Sequence, residues 1–188
     1  METISREQAA AVAAGNDSML LGCPPVLDTR AGTDPSEATL SVIRRLGGVQ
    51  IDTISVVNRA HNHIVWSRNR RFTERDFAAL QAGPRRIFEY WTHAAAYLPI
   101  EDYRFCLPRM ERIRRHGFEW YQRNRAVMEG VLSRIRSEGE VSARDFEDDR
   151  ERPGGVWWDW KPAKIALEHL FMEGSIMVVR RDGFQKVY

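Results

Sequence analysis

The stretch IFEYWTHAAAYL, residues 87–98, is rich in aromatic and small residues and predicts a β-hairpin. Upstream of it, Asp34-Pro35-Ser36-Glu37 supplies an N-cap and a helix-initiating proline, and Gly47-Gly48 ends the helix that follows. Between this helix and the hairpin, the patterns predict a short strand and two more helices, at Val49–Ile54, Asn58–Arg71 and Glu74–Gln81. Helices and a hairpin in this order predict a winged helix, whose third helix and wing usually face nucleic acid.

The same order of elements recurs in the second half of the chain. Pro162 begins a helical pattern that Gly174 ends, and Asp182-Gly183 is a hairpin-turn signal. The remaining segments are helices at Ile100–His116 and Tyr121–Ser137, a short strand and helix start at Gly139–Phe146, and strands at Ile176–Val179 and Phe184–Tyr188. We therefore predict an α+β, mostly helical fold of tandem winged helix-turn-helix domains with short β-hairpin wings, at residues 1–116 and 117–188.

The composition excludes several classes of protein. No uncharged stretch of the 188 residues approaches the roughly 20 apolar residues of a membrane helix. The charged N-terminus lacks a signal peptide and instead predicts a short capped helix ended by Gly15, followed by a loop over residues 16–33. Cys23 and Cys106 are 83 residues apart without companion ligands, which argues against a zinc site or a disulfide framework. These features predict a soluble, cytoplasmic protein.

Arginine dominates the positive charge, because 25 of the 28 basic residues are arginine and lysine occurs only at positions 161, 164 and 186. The net charge of +2 conceals segregation: seven arginines lie in residues 59–86 and nine in 101–136, whereas eight acids lie in 137–160. The planar guanidinium suits phosphate binding, so the basic segments are candidates for a polyanion surface. Solvated helix faces and a high genomic GC content would explain the same pattern without nucleic acid.

Gln50 and Asp52 are the strongest candidates for chemistry. Two residues apart on a strand, their side chains project from one face about 7 Å apart, while Ile51 points into the core. The amide can fix a water molecule, and the carboxylate can take its proton or stabilise a nearby cation. The alternative is an exposed polar strand face without chemistry.

Several other side chains are candidates for DNA contact. Glu89, Trp91 and His93 alternate, so a strand would place their side chains on one face. Base stacking on Trp91 and phosphate or base contact by His93 would follow, and the alternative is a buried aromatic ring beside a hydrogen-bonded histidine. His61 and His63 lie about 200° apart around a helix and cannot share one metal ion. The predicted DNA-binding residues are Arg59, His61, Arg68, Arg70, Arg71, Trp91, His93, Lys161 and Lys164.

The motifs together resemble one known family. Val49–Ile54, Glu89–His93, Trp157–Pro162 and the closing Phe184–Tyr188 occur in the order seen in the YcaQ-like winged-helix DNA glycosylases, the AlkX and AlkZ group. The resemblance covers residues 38–188. The clustered Trp157, Trp158 and Trp160 are also explained by packing beneath the second wing.

The resemblance implies a monofunctional DNA glycosylase of base excision repair. Such an enzyme hydrolyses the N-glycosidic bond of N7-alkylated purines, and the YcaQ branch unhooks interstrand crosslinks. The family's catalytic motif falls on Gln50 and Asp52, and the Asp form resembles the crosslink-unhooking branch. The implied partner is double-stranded DNA with alkylated or crosslinked purines, without metal, cofactor or membrane, and the expected state is a monomer near the nucleoid.

The length of the chain departs from the family pattern. Family members are about twice as long, so a third winged helix and a C-terminal barrel are expected to be missing, with weakened DNA binding as a consequence. Two alternatives therefore stay open: a non-catalytic winged-helix DNA-binding or regulatory protein, and an inactive truncated glycosylase.

Overall fold

A computed structural model of the protein describes residues 34–83, 85–117, 119–146 and 162–188. In these residues the chain is α+β and mostly helical, as predicted. The described helices are α1 (Pro35–Leu46), α2 (Ala60–Trp66), α3 (Glu74–Ala82), α4 (Tyr103–His116), α5 (Glu119–Arg123), α6 (Arg125–Glu138) and α7 (Pro162–Met172). The described strands are β1 (Val49–Gln50), β2 (Ile87–Trp91), β3 (Ala95–Pro99), β4 (Arg180–Asp182) and β5 (Gln185–Val187).

The chain divides into two compact units. The first holds the described residues up to 87 together with 92–99, and the second holds 88–91 together with the described residues from 100 onward. Helix α4, which the sequence assigned to the domain 1–116, therefore belongs to the second unit. The reason is packing: its Tyr103 ring meets Phe88 edge-on at 5.3 Å, and its Arg114 donates to the Glu173 carbonyl at 2.9 Å.

Helix α1 begins and ends as the sequence predicts. The Asp34 carboxylate accepts the N–H of Ser36 at 3.1 Å, and Pro35 occupies the first helical position. Gly47 ends the helix with a φ of +70°, and its N–H donates to the Arg44 carbonyl at 3.2 Å. Only Gly47 and Gly48 therefore separate the end of α1 from the start of strand β1.

Strand β1 is shorter than the predicted strand Val49–Ile54. It pairs antiparallel with β3, with Gln50 opposite Ala96. Beyond Gln50 the Asp52 carboxylate accepts the N–H of Ile54 at 2.8 Å, a local side-chain turn that competes with a strand ladder. Strands β2 and β3 confirm the hairpin predicted at 87–98, and the sheet order is β1-β3-β2.

Helix α2 covers only the middle of the predicted helix Asn58–Arg71. Asn69 is fully buried, and its Oδ1 accepts the N–H of Arg71 at 3.1 Å, which turns the chain out of the helical path. The Asn69 amide also donates to the Thr39 hydroxyl at 3.1 Å, and this hydroxyl donates to Asp76 at 3.1 Å. Asp76 closes a capping box at the start of α3, which confirms the predicted helix Glu74–Gln81.

The core of the first unit forms where α1, α2, α3 and the sheet meet. The hydrogen bonds among Thr39, Asn69 and Asp76 tie α1 to α3 and to the segment between α2 and α3, so these helices have one arrangement. The buried apolar side chains here include those of Leu40, Val42, Ile43, Val49, Ile51, Val65, Phe72, Phe77, Leu80, Ile87, Tyr97 and Leu98.

In the second unit, helix α7 confirms the prediction between Pro162 and Gly174, where Gly174 has a φ of +78°. The hairpin β4-β5 turns at Gly183, whose φ of +58° suits the first central position of a type II′ turn. The predicted first strand at Ile176–Val179 is wrong. Because the two-residue turn sets Arg180 opposite Val187, residues 176–178 extend past the paired part of β5.

The predicted strand and helix start at Gly139–Phe146 are reduced to a short pairing and a 3₁₀ turn. Val141 and Tyr188 exchange both backbone hydrogen bonds, at 3.2 and 2.9 Å, and Ser142 pairs with Val187. Ala143–Asp145 then forms the turn. The helices predicted at Ile100–His116 and Tyr121–Ser137 are present, the first after a 3₁₀ turn and the second divided at Asn124.

Some predictions lie outside the described residues. They are the helix ending at Gly15, the loop at 16–33, the cluster Trp157–Trp160 and the DNA contact of Lys161. Among the described helices, none is long and apolar enough to cross a membrane.

Gly48, immediately before β1, has no room for a side chain. Its φ is +148°, and a Cβ would meet Leu98 Cδ2 at 2.7 Å and the Tyr97 carbonyl oxygen at 3.2 Å. We expect Gly48→Ala to lower the free energy of unfolding by about 2–4 kcal/mol, measured by urea denaturation. Gly47→Ala is the matched control, with a positive φ but open space, and should cost about 1 kcal/mol. Equal losses in the two variants would contradict this account.

Candidate active site

The predicted pair Gln50 and Asp52 lies at the end of strand β1. Ile51 between them is buried, and its N–H donates to the Ala95 carbonyl at 2.7 Å, so its two neighbours face away from the core. The Gln50 side chain is exposed and Asp52 is half-buried. Gln50 thus lies in the paired strand β1, and Asp52 lies two residues later, after the strand has ended.

Asp52 is held in place through its backbone and one carboxylate oxygen. Its N–H donates to Nδ1 of His61 at 3.1 Å, and its Oδ1 accepts the N–H of Ile54 at 2.8 Å. The Oδ2 atom makes no hydrogen bond to any residue in the described ranges. One carboxylate oxygen therefore fixes the local chain, and the other is available to a water molecule or a developing positive charge.

Gln50 is oriented by the turn between β2 and β3. Nε2 of His93 donates to Gln50 Oε1 at 3.3 Å, because an amide oxygen can only accept. The amide Nε2 of Gln50 has no hydrogen-bond partner among the described residues. This donor group and the open oxygen of Asp52 are the two polar groups that the site offers to a ligand.

His61 occupies a different place from the one predicted. It is 6% exposed and packs against Phe77 and Tyr97, with ring centroids at 5.8 and 6.4 Å. This burial keeps its imidazole from meeting phosphate in this structure, which corrects the predicted DNA contact. Its position was encoded in the sequence: His61 precedes the buried Val65 by four residues and so shares its helical face.

The predicted basic contacts lie on and after α2. Arg59 is the N-cap residue, and Arg68 donates to the Ile64 carbonyl at 3.0 Å. The Arg70 guanidinium lies 3.9 Å from the centroid of the Trp66 ring, and Arg71 is exposed. Lys164 lies in the first turn of α7, in the second unit, and is half-buried.

The predicted common face of Glu89, Trp91 and His93 is not present. Glu89 is 1% exposed and forms a bidentate pair with Arg181, at 2.8 and 2.5 Å. Trp91 remains 41% exposed, and its carbonyl accepts from Arg109 at 2.7 Å. Glu89 is therefore a structural residue of the second unit, and only Trp91 and His93 keep accessible rings.

The described residues contain no cluster of three or more His, Cys, Asp or Glu side chains that could hold a metal ion. Cys106 lies in α4 as a half-buried free thiol, and burial raises its pKa. The side chains that the candidate site brings together are the amide of Gln50 and the carboxylate of Asp52.

Comparison with known proteins assigns the family. Residues 43–188, more than three quarters of the chain, match the family model described as DNA glycosylase AlkZ-like. The chain belongs to the AlkZ-like DNA glycosylase family. Membership makes DNA its substrate and hydrolysis its class of reaction, and the match includes Gln50 and Asp52. No solved structure matches the chain significantly.

The contact between His61 and Asp52 leads to a prediction. His61→Phe keeps the aromatic packing but leaves the Asp52 N–H without its acceptor, so we expect a loss of about 1 kcal/mol in stability and about tenfold in the rate of base release. His61→Asn, whose Oδ1 can replace Nδ1, should recover most of the rate. The exposed His63→Phe is the control. Thermal unfolding and single-turnover kinetics test this, and equal rates for the two Phe variants would refute it.

Proposed function

We propose that the protein is a monofunctional glycosylase that releases N7-alkylated purines from double-stranded DNA and unhooks interstrand crosslinks during base excision repair. One observation supports the proposal: Gln50 and Asp52, which lie within the stretch matched to the family, stand at the end of β1 with an amide nitrogen and a carboxylate oxygen unbonded to described residues. The contacts of His61 and His93 hold both residues before any substrate arrives.

The proposed chemistry needs no strong general acid. An N7-alkylated guanine is already cationic, so the C1′–N9 bond breaks with its electron pair leaving on the purine. Asp52 stabilises the positive charge that develops on the sugar and takes a proton from the attacking water, while Gln50 orients that water. The water oxygen forms the new bond to C1′, and the products are the free base and an abasic site.

The monofunctional assignment is supported by the scarcity of lysine. Cleavage of the DNA strand after base release requires an amine that forms a Schiff base with the sugar. Lysine occurs only at positions 161, 164 and 186, so no lysine side chain lies in β1, in the residues between β1 and helix α2, or in α2 itself. We therefore expect an intact abasic strand as the product.

The proposed framework is a pair of winged helices. Over residues 35–99 a helix, a short strand, two helices and a hairpin follow one another along the chain, and β1 pairs with β3, the second strand of the hairpin. In the second unit the short segment at Val141 and Ser142 follows α6 and likewise pairs with the second strand of its hairpin, at Val187 and Tyr188. This repeated pairing supports the tandem arrangement.

The proposed partner is duplex DNA, bound by a monomer. Phosphate contacts usually come from arginine and lysine, and exposed arginines follow α2 in the same unit as Gln50 and Asp52. Trp91, His93 and Lys164 remain proposed contacts, whereas His61 acts through Asp52.

A base-release assay tests the function. The full chain is incubated with a duplex that carries one N7-methylguanine, and in parallel with a duplex crosslinked through guanine N7. We expect release of the free base above the spontaneous rate in a protein-free control, separation of the crosslinked strands, and no strand cleavage before alkali treatment. Tight binding to the duplex without release would instead favour the non-catalytic DNA-binding protein.

A further inference from the structure

Three large apolar side chains project into solvent directly after Asp52. Ile54, Val56 and Val57 are 71%, 91% and 89% exposed, and the two valines exceed every other large apolar side chain in the described ranges. Isolated exposed apolar residues are common on proteins, but three within four positions form a patch that water solvates poorly. We call these three residues the apolar loop.

The apolar loop is held by contacts at both ends. The Asp52 carboxylate accepts the N–H of Ile54, and Ser55 forms a β-bridge with Arg59. At the far end, Asn58 Oδ1 accepts from the Arg59 N–H at 2.7 Å and from the Asn62 amide at 2.8 Å. The loop therefore presents Val56 and Val57 on a closed and anchored turn.

We propose that the apolar loop is a wedge that enters the base stack of duplex DNA beside the damaged nucleotide, an inference that rests on the proposed function of the neighbouring Asp52. Proteins that distort DNA insert apolar side chains of this kind between base steps and unstack them. Gaining access to the sugar carbon of a stacked nucleotide requires such unstacking.

Two observations favour DNA over another partner. The apolar loop is continuous with Asp52, whose carboxylate accepts the N–H of Ile54 at 2.8 Å. It is also followed at once by the arginine-bearing segment 59–71, and this charge complements the phosphates on either side of a base step. Because one carboxylate oxygen of Asp52 holds the loop while the other is open, a single residue links wedge insertion to the catalytic position.

The inference is tested first without catalysis. The full chain carrying Asp52→Asn binds a duplex with 2-aminopurine beside an N7-methylguanine, and 2-aminopurine fluorescence reports unstacking. We expect a rise of about threefold or more on binding, which adding Val56→Ser and Val57→Ser abolishes. The control replaces Phe105 and Leu107, exposed apolar residues of α4, by serine and should keep the rise. No rise on binding, or an equal rise in the valine variant, would overturn the proposal.

Base release supplies the second readout, with Asp52 intact. The double variant Val56→Ser, Val57→Ser should release base from a paired duplex about tenfold or more slowly than the unaltered protein. When the lesion lies in a single-nucleotide bulge and is already unstacked, the same variant should release base at the normal rate. Equal slowing on both substrates would overturn the wedge.

Failure of unaltered protein to release base, with the fluorescence rise intact, would refute the proposed function alone. Loss of a concentration-dependent dimer in the valine variant, without change in fluorescence, would assign the loop to self-association and overturn the wedge.

Discussion

Replacing Asp52 by asparagine is expected to slow release of N7-methylguanine by about 10²–10⁴-fold under single-turnover conditions. Asparagine keeps the Oδ1 that accepts the N–H of Ile54, so the local chain should not move. It removes the negative charge and the proton acceptor, which are the two contributions assigned to this residue. The variant therefore separates the chemistry from the local structure.

Binding measurements make the Asp52→Asn test specific. Because the substitution removes a negative charge near the phosphates, DNA affinity should stay the same or rise while the rate falls. Asp182→Asn, an exposed aspartate on the β4-β5 hairpin, is the matched control and should keep the normal rate. Normal release by Asp52→Asn would contradict the catalytic assignment.

The second large effect concerns stability. Arg181→Ala should lower the free energy of unfolding by about 3–5 kcal/mol, because it leaves the Glu89 carboxylate buried without its partner. The Glu89 side chain is 0% exposed and that of Arg181 is 13% exposed. Arg181 also donates to the Phe184 carbonyl at 2.9 Å, which ties the hairpin turn to the same pair.

The adjacent arginine provides the control for Arg181→Ala. Arg180 pairs with Glu140 at 2.9 Å, but both side chains are about half exposed, at 50% and 53%. Arg180→Ala should therefore cost less than about 1 kcal/mol in urea unfolding. A double variant, Glu89→Leu with Arg181→Met, should recover most of the stability, because no buried charge is left without a partner. Equal losses for Arg180→Ala and Arg181→Ala would refute the buried-pair account.

The elements that the sequence predicts well are those with local causes. Asp34 and Pro35 begin α1 and Gly47 ends it, through contacts that span no more than four residues. The strand after it was predicted too long, because the alternation of Val49–Ile54 does not reveal that the Asp52 carboxylate bonds to Ile54. Short polar side chains of this kind shorten elements that hydrophobic periodicity alone extends.

The candidate site likewise has residues that a local sequence pattern identifies and residues that only the folded chain brings to them. The spacing of Gln50 and Asp52 identifies the pair, but the residues that hold it come from elsewhere: His93 lies 43 positions after Gln50. The alternation of Glu89 with Trp91 and His93 gives no sign of the burial of Glu89, because its partner Arg181 is 92 positions away. A single sequence carries no direct signal for such long-range pairing, whereas the helical spacing of His61 and Val65 is a local signal for burial that the predicted DNA contact of His61 did not use.

The hydrogen bond from Asp52 to His61 also makes one amide proton a natural reporter. A backbone N–H that donates to a buried imidazole exchanges with solvent water only when that contact opens. In the first unit, that opening separates α2 from the residues that follow β1. The hydrogen-exchange protection of a single proton thus measures the free energy that holds the candidate catalytic carboxylate in position.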